Sequence, residues 1–327
     1  MMRDQLRNQV CNLKSGTAIL GKWHSHKYYI VRKLGEGATG VVYLAQNEND
    51  EQVALKISFA NMSVTAEVNV LKQLSKVHGK VLGPSLLDVD DWAVKQGTVM
   101  LSFYVMEYLK GEGFLPFISR KGEEWISVLV LQLLGDLEGL HQAGWTFGDL
   151  KPDNLIVTTN PFRLRLLDVG GTTQHGRAIK EFTEFFDRGY WGLGSRKADG
   201  AYDLFAVAMI FINGAYPKQF PKQEQPLKQL ERCIDEKKIL RPYKKPLMKA
   251  LKGEYSAASH MKNDILNVVK GGDKKPQSSS SSTNNTTYAT TGRRRRVKRK
   301  KKRTAETFFL LISVAIAYFV YFFIQVW

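Results

Sequence analysis

The sequence predicts an α+β protein of two lobes followed by a C-terminal single transmembrane helix. Three observations carry this expectation. Residues 28–109 consist of short β-rich runs around glycines, whereas 110–275 is dominated by helical periodicity. The last twenty residues, Phe308 to Trp327 (FFLLISVAIAYFVYFFIQVW), hold no charged side chain. As a helix they would span about 30 Å, the thickness of a bilayer's hydrocarbon core. Charge is also segregated along the 327 residues: 1–217 carries 23 basic and 23 acidic side chains, 218–275 a basic surplus of eight, and ten of the eleven residues 293–303 are Lys or Arg. The net charge of +17 therefore belongs to the last third of the chain, which excludes a diffuse polyanion binder as a description of the whole. With 43% hydrophobic residues and only 10 prolines, the body has material for an enzyme-sized core.

Taken in order, 1–27 reads as an N-terminal extension. Its charged start, Arg3, Asp4, Arg7 and Lys14, does not fit a cleaved secretory signal. Tyr28 to Leu44 predicts two strands around a glycine turn, and Gln52 to Phe59 a third, rich in Val, Leu, Ile and Phe. A helix is expected to start near Ser63 or Thr65, with Val68, Leu71 and Leu74 inward and Glu67 facing a polar cleft. Val99 to Tyr108 reads as a strand, closing a first lobe and hinge at 109. The second lobe, 110–275, opens on Gly111 and Gly113 and continues with a core helix over Trp125 to Leu140. Short paired strands are expected at Leu155 to Val157 and Leu164 to Val169, and a buried helix over Tyr202 to Gly214. Leu227 to Lys238 and Lys244 to Lys252 fit short helices bounded by Pro221, Pro226, Pro242 and Pro246.

Residues 276–292 (PQSSSSSTNNTTYATTG) read as a flexible linker, 293–307 as a basic juxtamembrane segment and 308–327 as the anchor. The basic block beside the anchor predicts a cytoplasmic body by the positive-inside rule, hence a single-pass protein of the cell membrane. Cys11 and Cys233 form no close-spaced pattern, as suits a reducing compartment.

The chemistry gathers in the neutral body. In Leu34-Gly35-Glu36-Gly37-Ala38-Thr39-Gly40-Val41-Val42, small residues at 35, 37 and 40 let the backbone approach phosphate oxygens. Alone, such a run equally suits a structural hairpin. Val53-Ala54-Leu55-Lys56-Ile57 then places a lysine in an apolar strand, from which its ammonium can reach phosphates, and Glu67 can orient it from the next helix. Gly148-Asp149-Leu150-Lys151-Pro152-Asp153-Asn154 supplies a carboxylate with an amide five positions on, followed by Asp168-Val169-Gly170. Asp149 can accept an alcohol proton, Lys151 can neutralise a moving phosphoryl group, and Asn154 and Asp168 are oxygen donors suited to Mg2+.

In this order the motifs resemble those of the eukaryotic-like (Hanks-type) protein kinases, over roughly Tyr28 to Tyr216, and the bilobal fold implied is protein-kinase-like. The resemblance implies ATP with Mg2+, Mn2+ being a substitute, and a protein alcohol as acceptor. It also implies nucleotide contacts from the glycine turn, Val42 and Ala54, and an adenine-binding hinge at Glu107, Tyr108 and Leu109. The loop around Lys151 resembles that of Ser/Thr rather than Tyr kinases. Thr172, Thr173 and Thr183 lie in the activation region, where autophosphorylation is expected.

Departures bear on control. Phe147-Gly148-Asp149 lacks the arginine of the usual His-Arg-Asp, valine replaces the middle phenylalanine at 169, and no Ala-Pro-Glu occurs in 187–203. Asp203 either anchors the following helix, as the family's aspartate does, or is an ordinary cap.

The basic collar and anchor further resemble small membrane-anchored kinases of spore-forming bacilli. That likeness implies stimulation by double-stranded DNA through 218–275 and 293–303. Attraction to anionic lipid explains the same charge, and confinement to a membrane favours a homodimer. A membrane-anchored pseudokinase, or a scaffold binding DNA or anionic lipid, is the rival reading.

Overall fold

A computed structural model describes residues 2–37, 39–59, 61–74, 83–94, 99–159 and 161–271. The chain divides into two units, Met1–Lys275 and Pro276–Trp327. The expected linker, juxtamembrane segment and anchor all fall in the second, outside the described residues.

The first lobe begins with helix α1 (Met2–Cys11), then strands β1 (Ala18–Leu20), β2 (Lys27–Glu36), β3 (Gly40–Gln46) and β4 (Gln52–Ser58). Helix α2 (Asn61–Leu74) is followed by β5 (Leu86–Val94) and β6 (Val99–Glu107). These strands form one antiparallel sheet ordered β1-β2-β3-β4-β6-β5. A bridge between Gly21 and Trp92 joins its two ends. Val41, Tyr43, Leu55, Ile57, Phe103 and Val105 fill the interior with Val10 of α1 and Ile19 of β1. The register sets Lys56 opposite both Val42 and Tyr104, and Ala54 opposite Met106. Strand period 2 then fixes which of these side chains share the face toward the second lobe.

The second lobe holds β7 (Gly111–Gly113), α3 (Phe114–Lys121), α4 (Trp125–Gln142), β8 (Trp145–Thr146), β9 (Leu155–Thr158), β10 (Arg163–Leu166) and β11 (Thr173–Gln174). Helices α5 (Gly200–Ala215), α6 (Pro226–Glu236), α7 (Lys244–Leu251) and α8 (Ala258–Gly271) complete it. Small sheets β10-β9-β7 and β11-β8 frame the loop from Phe147 to Asn154. The core runs from Ile126, Leu133 and Leu137 of α4 through Phe205 and Phe211 of α5 to Leu230, Leu247 and Ile265. Pro226 stands at the start of α6, where its missing N–H leaves no helical bond unmade.

The expectations for the basic and apolar C-terminal third are corrected here. Among the described residues no helix is long and apolar enough to cross a membrane, and 308–327 lies outside them. The C-terminal transmembrane helix, the membrane tether and the single-pass cell-membrane location with a cytoplasmic body are accordingly not retained. The most apolar described helix, α5, has 16 residues, of which Tyr202 to Ala215 are buried. At about 24 Å it is short for a bilayer, and its all-round apolarity serves burial between helices.

DNA stimulation is likewise not retained, nor is attraction to anionic lipid. The basic stretch after 217 is built into α6, α7 and α8, whose apolar faces belong to the core. Several of its cations are engaged internally. Lys244 pairs with Glu231 at 2.9 Å and Asp235 at 2.7 Å, Lys249 with Asp264 at 2.9 Å, and Arg241 donates to the Asp235 carbonyl. Residues 293–303 lie outside the described residues.

Candidate active site

The turn between β2 and β3 is tied down at its ends. Gly37 N–H donates to the Gly40 carbonyl at 2.9 Å, and the Thr39 carbonyl accepts from Phe59 N–H at 3.0 Å and Ser58 Oγ at 3.1 Å. A Cβ at Gly40 would stand 2.3 Å from the Ile57 carbonyl oxygen, so the crossing with β4 requires glycine there. Gly35 and Gly37 face open space. The Glu36 carboxylate is turned to Lys33 at 2.6 Å and Arg7 at 3.5 Å, and these contacts with the Cys11 thiol hold its pKa below the usual range. Ala38 lies outside the described residues.

Lys56 and Glu67 are both buried, and Lys56 Nζ donates to Glu67 Oε2 at 2.6 Å. Tyr104 adds what the sequence did not signal, its hydroxyl donating to the same Oε2 at 2.6 Å. Burial and the adjoining Glu67 carboxylate push the Tyr104 pKa well above its ordinary value, so it remains a donor. The pair is thus satisfied within the protein, without which burying two charges would be unfavourable.

Below the cleft, Gly148 adopts φ +87°, and a Cβ there would lie 2.7 Å from the Gly171 carbonyl oxygen. Asp203, fully buried at the start of α5, accepts Phe147 N–H at 2.7 Å and Gly148 N–H at 2.9 Å, and lies 2.8 Å from His141 Nε2. The cap of α5 is instead Asp199, which accepts from Tyr202 N–H at 2.9 Å. Held this way, the loop presents Asp149. Its Oδ2 accepts from Lys151 Nζ at 2.6 Å and Asn154 Nδ2 at 3.2 Å, and its Oδ1 from the Thr183 hydroxyl at 3.2 Å. Asn154 Nδ2 also donates to the Asp149 carbonyl at 2.8 Å, and Lys151 Nζ lies 3.1 Å from Thr183 Oγ1. Asp168 accepts Gly170 N–H at 2.9 Å on Oδ1.

Between the lobes lies a cavity of roughly 310 Å3 lined by Gly35, Val42, Ala54, Lys56, Glu107, Leu109 and Asp168. That size and mostly apolar lining suit a small-molecule site. The Glu107 carboxylate is turned to Arg165, at 3.0 and 3.3 Å, and to Ser85. Burial acts to raise its pKa, but Arg165 and Ser85 outweigh this and hold it below the usual value.

The three activation-region threonines differ in setting. Thr172 and Thr173 are buried, Thr173 Oγ1 donating to the Gly171 carbonyl at 2.9 Å. Among the described residues, the buried Thr172 Oγ1 has no hydrogen-bond partner. Thr183 sits against Asp149 and Lys151. Further along, Asp187, fully buried, pairs with Arg196 at 2.6 Å and accepts from Tyr202 OH at 3.0 Å, while Arg188 pairs with Asp199 at 2.8 Å.

The protein kinase domain family matches residues 28–282. Over 267 residues the chain is 54% identical to serine/threonine-protein kinase YabT of Bacillus subtilis (strain 168), covering 82% of this chain and 79% of that protein. Over 163 residues it is 32% identical to serine/threonine-protein kinase cds1 of Schizosaccharomyces pombe, covering 45% of this chain and 33% of that one. Among solved structures, vaccinia related kinase 3 is similar with a TM-score of 0.56 at 16% identity, over 82% of this chain and 95% of that one, a likeness of fold. The chain therefore belongs to the Hanks-type protein kinase family and is a serine/threonine protein kinase.

Proposed function

We propose that the protein transfers the γ-phosphoryl group of ATP to Ser and Thr hydroxyls of proteins, itself included, with Asp149 as the base. The observation that carries this reading is the Asp149 carboxylate held by Lys151, Thr183 and Asn154 at 2.6 to 3.2 Å. In this arrangement Asp149 accepts the hydroxyl proton as the oxygen bonds to the γ-phosphorus and the bond to the β-phosphate oxygen breaks, releasing ADP. Lys151 steadies the charge on the moving group, and Thr183 aligns the carboxylate. The Lys56 ammonium, oriented by Glu67 and Tyr104, binds the nucleotide phosphates.

The residues present fit the nucleotide and its metal. The open backbone at Gly35 and Gly37 gives phosphates room, and the apolar cavity suits a base bound against the hinge backbone of Glu107 to Leu109. Asn154 uses Nδ2 on the Asp149 carbonyl and Asp168 uses Oδ1 on Gly170 N–H, so Asn154 Oδ1 and Asp168 Oδ2 are the atoms that would hold an ion. Two hard oxygen donors match Mg2+ or Mn2+. When bound, that ion neutralises phosphate charge.

The test uses the full chain with radiolabelled ATP, Mg2+ and a generic protein substrate, followed by phosphoamino-acid analysis. Asp149→Asn should lower transfer by about 10²–10⁴-fold with an unchanged melting temperature. Equal transfer by both proteins would overturn the reading.

A further inference from the structure

A second cluster lies on the outer side of the first lobe, and none of its members lines the nucleotide cavity. Trp23-His24-Ser25-His26 forms the turn from β1 into β2. Ser25 takes φ +59°, uncommon for a residue with a Cβ. Asp90 fixes the turn, accepting Trp23 N–H at 2.9 Å and His24 N–H at 2.8 Å. Both imidazoles thereby face Asp88 of β5. Its side chain is only 7% exposed, with Oδ1 2.7 Å from His24 Nδ1 and Oδ2 2.9 Å from His26 Nδ1. One atom from each of the three residues lies within 4.8 Å of the others.

We propose that His24, His26 and Asp88 bind one divalent first-row transition ion, with Zn2+ the best match. Two imidazole nitrogens and one carboxylate are a borderline donor set that Zn2+ accepts and that Mg2+ and Ca2+, which take oxygen ligands, do not prefer. Tetrahedral Zn2+ with bonds of about 2.0–2.2 Å sets its ligand atoms about 3.3–3.6 Å apart, so small side-chain rotations suffice. The histidine side chains are 53% and 57% exposed, giving the ion a path from solvent and leaving its fourth position to water. Tyr28 OH donates to Asp88 Oδ2 at 2.8 Å and orients the carboxylate from behind. The site adjoins the bridge between Gly21 and Trp92 and the bond from Lys22 N–H to the Asp91 carbonyl at 2.9 Å. A bound ion would clasp the N-terminal segment to β5 where the sheet's ends meet, stabilising the lobe without entering catalysis.

The test titrates the full, chelator-treated chain with ZnCl2 by calorimetry in excess Mg2+, and repeats it with Co2+ followed by visible absorption. One Zn2+ per chain and a raised melting temperature are expected for the wild type. The double variant His24→Gln, His26→Gln, both at exposed positions, should lose saturable binding and the thermal shift while keeping phosphotransfer. Tyr28→Phe should weaken binding about tenfold. Equal titration of wild type and double variant would place the ion elsewhere and overturn the proposal. So would the absence of saturable binding, which would mean the imidazoles serve only as hydrogen-bond partners of Asp88.

Discussion

At Asp149, the proposed base, the contacts of Thr183 support a proposed aligning role beyond that of a candidate phosphosite. Its hydroxyl lies 3.2 Å from Asp149 Oδ1 and 3.1 Å from Lys151 Nζ, so a phosphate there would put more negative charge beside the base. Thr183→Ala should lower kcat more than it raises KM, and Thr183→Ser should restore it, both read from steady-state kinetics. Tyr104→Phe removes one of the donors to Glu67, at a cost of about 1–2 kcal/mol, and should weaken ATP binding in a titration. Glu107 gives a pH prediction. Its folded pKa lies below the unfolded value, so the Arg165 contact stabilises the protein above about pH 4.3 and is lost as pH falls through the folded value. The melting-temperature gap between wild type and Glu107→Gln should therefore narrow on acidification, whereas a constant gap would assign the stabilisation to packing.

Among the elements, the loop before Asp149 and the segment after it are held by different means. Asp203 of α5 reaches back 55 positions to Gly148 N–H, so a long-range contact presents Asp149, the proposed base. Asp203→Ala leaves two buried N–H groups unpaired and should cost about 3 kcal/mol, with a matching fall in melting temperature. The arginine that in many kinases contacts a phosphorylated activation segment is absent, since Gly148 stands there. The segment is instead braced by Asp187 with Arg196 and Arg188 with Asp199. Phosphatase-treated protein should consequently retain its transfer rate, and loss of rate would show that a phosphate organises this segment after all. The positions of β3, β4, α4 and α5 were legible because their apolar runs are long and bounded by glycine or turns. Strand β5 (LLDVDDWAV) was not, because Asp88, Asp90 and Asp91 interrupt its pattern. Those acids are accommodated because the 23–28 segment supplies them with donors, Ser102 Oγ adding another to Asp91.

For the molecule as a whole, the charge that first suggested polyanion partners divides into a neutral catalytic body and a basic remainder. Part of that remainder, in α6 to α8, belongs to the same core as α4 and α5. Ile234, fully buried there, illustrates this continuity: Ile234→Ala should cost about 2–5 kcal/mol, and the core it shares with α4 and α5 predicts that transfer activity and melting temperature fall together. The sequence by itself determined the chemical inventory, because Lys56, Asp149, Asn154 and Asp168 sit in short motifs whose spacing and apolar flanks are local properties. It also marked where the excess charge lies. Only the tertiary structure decided which groups meet. Tyr104 joins Glu67 from 37 positions away, Arg165 takes the Glu107 carboxylate from 58, and His24 and His26 converge on Asp88 from more than 60. Such pairings depend on strand register and on the meeting of the sheet's two ends, and no local periodicity encodes either.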